Sequence, residues 1–411
     1  MRDSLDSVIR AARSAAVLLA VMAVAAGCGG SDDEASGGGS GTPAQRSASP
    51  DGADPQAAPA LGYPGFATSN TTRIGGADPI ADAAAVATAV FPARSTDTQP
   101  NAVTVVDDTD WRVAISAAQL MAAPLRSPIL FTQGRALPAA TAQALATLRP
   151  VGAKEAHGAQ VIRIGDTPRI GGYRTAEVRG ADHASLAQAV DRLSMEAAGD
   201  PSPAVVVASS EQPGYAMPAA GWAAKSGTPV LWVTRAGIPA ATRAAIQAHG
   251  KPQIYVLGPE TAVSDDVVRG LTELGTVQRI GDRDPVANAI DFARFSDGSF
   301  GWNVVDPGHG IVFASTQRPQ DAAAAAALSA TGSYGPLLLL TEPNVLPPAV
   351  QDFLLDIQPG YDTDPVRGVY NHGWIIGDES ALTVDVQARI DSLLEIVPVD
   401  TSSGSSHSSG S

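Results

Sequence analysis

The chain has 411 residues, with 42 acidic against 27 Lys and Arg side chains, a formal charge of −15 and a single cysteine. A surface so acidic repels nucleic-acid phosphates and anionic lipid headgroups, so neither is an expected partner. One cysteine excludes an internal disulfide framework.

The amino terminus carries Arg2, Arg10 and Arg13, an apolar run from Ala15 to Ala26, and then Gly27-Cys28. A basic segment, a short apolar core and small residues describe a secretory signal peptide. The run falls short of the roughly 20 apolar residues a membrane span requires. Ala25-Ala26-Gly27-Cys28 resembles the bacterial lipobox, which makes Cys28 the expected lipidated first residue after a signal over residues 1–28. Residues 29–70 are mostly Gly, Ser, Ala, Pro and Asp, a composition that cannot offset its ordering entropy. They read as a disordered tether spanning on the order of 35 Å. The Ser/Gly tail, 399–411, reads the same way. These ends predict a protein on the extracytoplasmic face of the membrane, held by its lipid alone and facing the wall.

The remaining body says nearly the same thing three times. Pro128-Ile129-Leu130-Phe131-Thr132 leads into Leu137-Pro138-Ala139-Ala140-Thr141, and Pro229-Val230-Leu231-Trp232-Val233-Thr234 into Ile238-Pro239-Ala240-Ala241-Thr242. Pro336-Leu337-Leu338-Leu339-Leu340-Thr341 leads into Leu346-Pro347-Pro348-Ala349-Val350. Such a long period marks one supersecondary unit used repeatedly. In chain order, helices are predicted over 80–90, 113–123 and 139–148, with strands over 102–106, 129–131 and 161–164. The second set is helices 184–193, 216–225, 240–249 and 265–274, with strands 204–208, 230–233 and 254–257. The third is helices 286–295, 321–329, 349–355 and 384–394, with strands 310–314, 337–340 and 373–376. Short strands apolar on both faces and alternating with helices predict an α/β fold of parallel sheets flanked by helices. The expected modules are 71–175, 176–276 and 277–398, with Asp78, Asp182 and Asp284 at equivalent helix starts. Arg169-Ile170-Gly171-Gly172 offers a rival start for the second.

Open α/β sheets bind ligands beyond the carboxyl ends of their strands. This singles out Thr132, Gln133 and Arg135, then Thr234 and Arg235, then Thr341, Glu342 and Asn344. Guanidinium groups suit phosphate or carboxylate, which points to Arg135 and Arg235. Asp107-Asp108-Thr109-Asp110 lacks the glycine and distal glutamate of a calcium loop and reads as a solvated acidic turn. The six histidines show no paired zinc spacing, and His309 and His372 read as surface turn residues. No nucleophile elbow, phosphate loop or dinucleotide fingerprint is present. Neither metal, cofactor nor catalysis is expected.

A strand, a Pro-apolar-Thr phrase, a Leu-Pro-Ala-Ala-Thr helix start and a turn such as Gly258-Pro259-Glu260-Thr261-Ala262-Val263-Ser264 or Gly377-Asp378-Glu379-Ser380-Ala381-Leu382-Thr383 together resemble the cell wall binding repeat 2 family. The likeness runs over about residues 71–398. It implies three modules packed with pseudo-threefold symmetry in a monomer, and a non-covalent hold on an anionic cell-wall polysaccharide. The family's Asp-Arg-Tyr-x-Thr-Ala opening is altered: Pro79, His183 and Pro285 follow the aspartates, and Asp82, Leu186 and Asn288 occupy the threonine positions. That loss keeps a solute-binding or scaffold lipoprotein as the alternative expectation.

Overall fold

The computed structural model describes residues 66–281, 283–332 and 334–399. The expected signal, Cys28, nearly all of the tether and the tail beyond Val399 lie outside the described residues. The chain enters through β1 (Phe66–Ala67), β2 (Thr71–Ile74) and α1 (Pro79–Val90). Then come β3 (Val103–Asp107), α2 (Trp111–Ala117), β4 (Ile129–Thr132), α3 (Ala139–Leu148), β5 (Val161–Ile164) and β6 (Thr175–Val178). The middle part contributes α4 (His183–Ala198), β7 (Ala204–Ser209), α5 (Pro213–Ala216), α6 (Ala219–Ser226), β8 (Val230–Val233), α7 (Ala240–Ala248), β9 (Gln253–Leu257), α8 (Asp265–Thr272) and β10 (Thr276–Ile280). The last part holds α9 (Pro285–Arg294), β11 (Gly310–Ser315), α10 (Gln320–Ala324), α11 (Ala326–Ala330), β12 (Leu337–Leu340), α12 (Pro348–Asp356), β13 (Gly360–Tyr361), β14 (His372–Ile376), α13 (Val384–Leu393) and β15 (Val397–Pro398).

β13 pairs with β15 in a separate two-stranded sheet, and three larger parallel sheets share one order: β4-β3-β5-β6, β8-β7-β9-β10 and β12-β11-β14-β2. Their helices flank them, as the alternation predicts. The outermost strand of each sheet leads directly into a helix of the next. After β6, α4 packs on β8 and α7; after β10, α9 packs on β12 and α12. The cycle closes because β2, at the start of the described chain, pairs with β14 near its end (Thr71 beside Gly373, Ile74 beside Ile376), and α1 then packs on β4 and α3. β1 adds an antiparallel edge to β2.

These outer strands were invisible to the apolar-run criterion. Thr276–Ile280 alternates exposed and half-buried side chains before Ile280, and Thr175–Val178 buries only Val178. β2 is buried but polar, Thr71-Thr72-Arg73-Ile74, and its side chains are satisfied by α13. Gln387 donates to Thr71 Oγ1 at 3.1 Å and accepts from Arg73 Nε at 3.0 Å, while Asn70 N donates to Asp391 Oδ1 at 2.7 Å.

The helices that follow the outer strands begin where aspartates cap them. Asp78 accepts from Ala81 N at 2.8 Å, Asp182 from Ser185 N at 2.8 Å, and Asp284 from Val286 N and Ala287 N at 2.9 and 3.0 Å. Each helix expected after a sheet's first strand is broken. Met121 ends a 3₁₀ extension of α2, Pro218 separates α5 from α6, and the alanine run splits at Ala325 between α10 and α11. Pro218 explains the second break, since it lacks the amide a helix interior needs; the third has neither proline nor glycine.

These three broken segments meet one another between the sheets. Alanine makes that possible, and Ala322 to Ala327 are all buried. Around them, Trp232 Nε1 donates to Ser116 Oγ at 2.9 Å while its ring meets Trp111 edge-on at 5.4 Å, tying the first sheet's helix to the second sheet. Trp222 packs on Phe300 and Trp302 at 4.9 and 5.3 Å, and Lys225 Nζ lies over Trp222, Trp302 and Tyr334. His249 bridges Asp191 Oδ2 at 2.9 Å and the Ser202 carbonyl at 3.0 Å, sealed from solvent. His372 departs from its expected surface turn: it begins β14, half-buried, meets Trp374 edge-on at 4.6 Å and contacts Thr72 Oγ1 at 3.1 Å. Burial drives its pKa below the ordinary histidine value.

The closest helix approach sets a sharp test. A Cβ on Gly221 would lie 2.7 Å from Ser329 Oγ and 2.9 Å from Ser329 Cβ, so α6 cannot carry a methyl there without parting from α11. Gly221→Ala gains about 1 kcal/mol of helix propensity but should lose about 1–3 kcal/mol to overpacking. A net fall in unfolding free energy by chemical denaturation is the expected outcome, and a net rise would contradict the packing described.

Candidate functional site

Each sheet's carboxyl rim is built from the loops that follow its first three strands in the chain. The repeated phrase makes that rim rigid. Thr132, at the end of β4, is fully buried and donates to the Val106 carbonyl at 3.4 Å. Thr141 and Thr242, from the two Leu/Ile-Pro-Ala-Ala-Thr starts, donate at 2.6 Å to the carbonyls of Phe131 and Trp232. Gln133 pairs with Ala136 and Thr234 with Gly237 in tight turns, which leave Gln133, Arg135 and Arg235 exposed.

Thr132, expected to meet a ligand, is instead closed off inside the sheet, and the other sequence-predicted residues stand on three separate rims. On the first, Arg135 Nε and Nη2 meet Asp166 Oδ2 and Oδ1 at 3.0 and 2.5 Å. On the second, Arg235 N donates to Glu211 Oε2 at 3.1 Å and Arg235 Nη1 to the Thr261 carbonyl at 3.2 Å. On the third, Thr341, Glu342 and Asn344 are all exposed; the Thr341 carbonyl accepts from Gln317 Nε2 at 3.4 Å. Asp107 Oδ1 accepts from Thr109 N at 2.8 Å and Asp110 caps α2, so that acidic stretch is engaged in its own turn. Among the described residues no group of three or more His, Cys, Asp or Glu is arranged to hold a metal ion.

Arginines on the outer strands clamp the repeated glycine turns. Arg73 Nη1 donates to the carbonyls of Gly377 and Asp378 at 3.0 and 2.9 Å. Arg279 does the same to Gly258 and Val263 at 2.8 and 2.9 Å. The first sheet reverses the arrangement: Glu177 takes the outer-strand position, and Arg163 reaches it from β5 at 2.6 Å. Arg169 and Arg179 also face Glu177. Pairing with Arg179 first, then Arg163 and Arg169, holds the Glu177 carboxyl below its ordinary pKa; Arg135 does the same for Asp166.

The result is a cleft of about 380 Å³ lined by Arg135, Arg163, Gly165, Asp166, Glu177, Arg179 and Gly180. With Arg169 beside it, four guanidinium groups face two carboxylates on an otherwise acidic chain. Three of the four are open to water: Arg135, Arg169 and Arg179 are 77%, 81% and 83% exposed. An equivalent, shallower hollow beyond β10 is lined by Arg279, Gly281, Arg283 and Asp291. Sequence reasoning found Arg135 but missed Arg163, Arg169, Arg179 and Glu177. Their signal, charges on short strands of mixed pattern, becomes readable only once β6 is known to be a strand.

Residues 177–268 match the family model for cell wall binding domain 2 (CWB2). The match runs from within β6 into α8 and so covers the second sheet's central strands and their helices. Among solved structures, Cwp8 from Clostridium difficile aligns with a TM-score of 0.60 at 14% identity, covering 80% of this chain and 52% of that one. Cwp6 from Clostridium difficile aligns at 0.59 and 15% identity, covering 79% and 48%. The chain therefore spans about half the length of these structures, and at such identities the likeness establishes the fold. Among curated proteins, none matches the chain in sequence.

The clamp defines a test that separates buried from exposed arginine. Arg73→Met strands the turn carbonyls and should lower unfolding free energy by about 2–3 kcal/mol. Arg169→Met, on the open side of the cleft, should leave the melting temperature unchanged. Equal effects of the two in thermal denaturation would refute the distinction.

Proposed function

We propose that this protein is a non-catalytic cell-envelope protein, lipid-anchored at Cys28, that holds an anionic wall polysaccharide non-covalently at the carboxyl rims of its three sheets. The observation that carries the reading is the arginine-lined cleft of the first rim, a locally basic surface on a chain of net charge −15. The match of residues 177–268 to a cell wall binding domain supports the same partner class. In this reading the chain works as a monomer of three modules about a pseudo-threefold axis, close to the expected spans 71–175, 176–276 and 277–398 but with Thr71–Ile74 serving the third sheet, Thr175–Val178 the first and Thr276–Ile280 the second. Among the described residues no helix is long and apolar enough to cross a membrane, so membrane attachment is assigned to the lipid.

The energetics suit a polymer. A single millimolar sugar site supplies about 4 kcal/mol, and linking several on one rigid body raises overall avidity by about 10²–10⁴. Arg135, Arg169 and Arg179 contact the polymer's anionic groups, displacing the exposed carboxylate of Asp166 from Arg135. Thr234, Arg235, Thr341, Glu342 and Asn344 line the other two rims and offer hydrogen bonds to sugar hydroxyls.

Sedimentation with purified Gram-positive walls tests this directly. The protein should be retained, and raising salt should release it. The triple substitution Arg135→Ala, Arg169→Ala, Arg179→Ala should cut the bound fraction about tenfold, the loss expected when charge-assisted contacts are removed. Retention no greater than that of an unrelated acidic protein, or binding indifferent to the triple substitution, would overturn the proposal.

A further inference from the structure

The family-motif threonine positions, Asp82, Leu186 and Asn288, occupy one structural role. Each lies in the first turns of the helix that follows an outer strand, beneath the glycine at that strand's end. A Cβ on Gly75 would run into Asp82 Oδ1, and one on Gly281 into Asn288 Oδ1; Leu186 underlies Gly165 and Gly180. One junction carries an apolar side chain there and another a neutral amide, whose Nδ2 donates to the Tyr215 carbonyl at 3.3 Å. Only the junction that closes the cycle carries a carboxyl.

That carboxyl is not alone. Asp82 and Asp321 are both fully buried, and one guanidinium, Arg318, serves both. Arg318 Nη2 pairs with Asp82 Oδ2, and Arg318 Nε lies 3.0 Å from Asp321 Oδ2. Asp82 Oδ1 accepts from Gly76 N at 2.6 Å. Neither Asp321 oxygen has an aligned donor among the described residues. Two buried carboxylates against one cation leave a negative charge that the interior cannot solvate, whereas one proton between them removes it.

The geometry points to a proton-operated latch: Asp82 and Asp321 share one proton over Arg318, and its loss loosens the seat of β2 and α1 on the third sheet. The surroundings favour holding the proton. Asp78 caps the same helix, Asp378 and Glu379 stand in the turn after β14, and Asp107 and Asp108 lie in the loop whose Asp108 carbonyl accepts from Gln320 Nε2 at 2.8 Å. Arg73, the other cation facing this turn, is committed to the Gly377 and Asp378 carbonyls. Burial, then Asp321, drives Asp82 well above the usual carboxyl range, and burial raises Asp321 to about 6 against the opposing pull of Arg318.

A carboxyl whose folded pKa exceeds its unfolded value binds its proton more tightly in the folded state. The pair's stabilisation is complete below the unfolded value, near 4; Asp321 loses its part as pH rises through about 6, and the proton that remains on Asp82, raised further by the Asp321 charge, leaves at higher pH. The latch therefore holds in acid and slackens toward alkaline pH, opposite to an ordinary ion-paired aspartate.

Hydrogen exchange on the full-length protein reads the latch without a mutation. Three equivalent amides seal the three outer strands: Gly165 N to the Val178 carbonyl, Gly258 N to Ile280 and Gly377 N to Ile74, at 2.9, 3.0 and 3.0 Å. Between pH 5 and pH 8 the protection factor at Gly377 should fall about tenfold relative to Gly165 and Gly258, since each unit by which a folded carboxyl pKa lies above the starting pH is a tenfold change. Asp82→Asn, which installs the amide already used at Asn288, should flatten that difference and raise the melting temperature at pH 8 by about 2–4 °C. Protection at Gly377 that tracks the other two amides across pH would overturn the inference, whether or not the variant folds.

Discussion

The structure depends on strand donation. No sheet is complete within the stretch of chain that supplies its inner three strands; each receives its fourth from the segment that goes on to build its neighbour. For two sheets this follows directly from chain order. For the third, the donated strand comes from the other end of the described chain, and Arg73 reaches a carbonyl 304 residues away in sequence. Contacts over such separations close a long loop, an entropic cost that the seating of β2 has to offset. Polar residues make it specific. Thr71, Arg73 and Asn70 meet Gln387, Asp391 and the Gly377 turn, partners that an apolar strand in the wrong register would leave unpaired.

Donation also explains the repeated phrases. Their prolines, threonines and glycines serve the scaffold: Thr141 and Thr242 tie helix starts to strand ends, and the Gly258 and Gly377 turns present carbonyls to Arg279 and Arg73. Residues free to meet a ligand lie where the copies differ. The third sheet has Val350 in place of the threonine and Glu342 in place of a rim arginine, whereas the first has Glu177 in the clamp position.

The inner architecture was legible because each inner strand is a short apolar run between helices of clear outline; β4, β8 and β12 fall within a residue of their expected bounds. The outer strands were not, since Thr175–Val178 and Thr276–Ile280 are too polar to announce a buried sheet and Thr71–Ile74 is buried by partners remote in sequence. The same gap hid most of the basic cleft. Arg135 follows a recognisable strand, but Arg163, Arg179 and Glu177 converge only through the pairing of β5 with β6. Asp82 and Asp321 could not be joined on paper at all, because their meeting requires the cycle to close.

The three sheets are joined by unlike chemistry. Aromatic contacts join the first helix hub to the second sheet and the second to the third: Trp111 on Trp232, and Trp222 on Phe300 and Trp302. At the remaining junction Arg318 lies between two buried carboxyls. Apolar contact weakens little with pH, whereas a buried carboxyl pair answers to it directly. The rims are just as uneven: the first gathers arginines, and the third gathers Asp78, Glu342, Asp378 and Glu379. The electrostatic potential is therefore uneven from one rim to the next, although the sheets beneath share one strand order. What the three sheets share is their strand order and the apolar runs that build it; what distinguishes them is the charge carried on their rims.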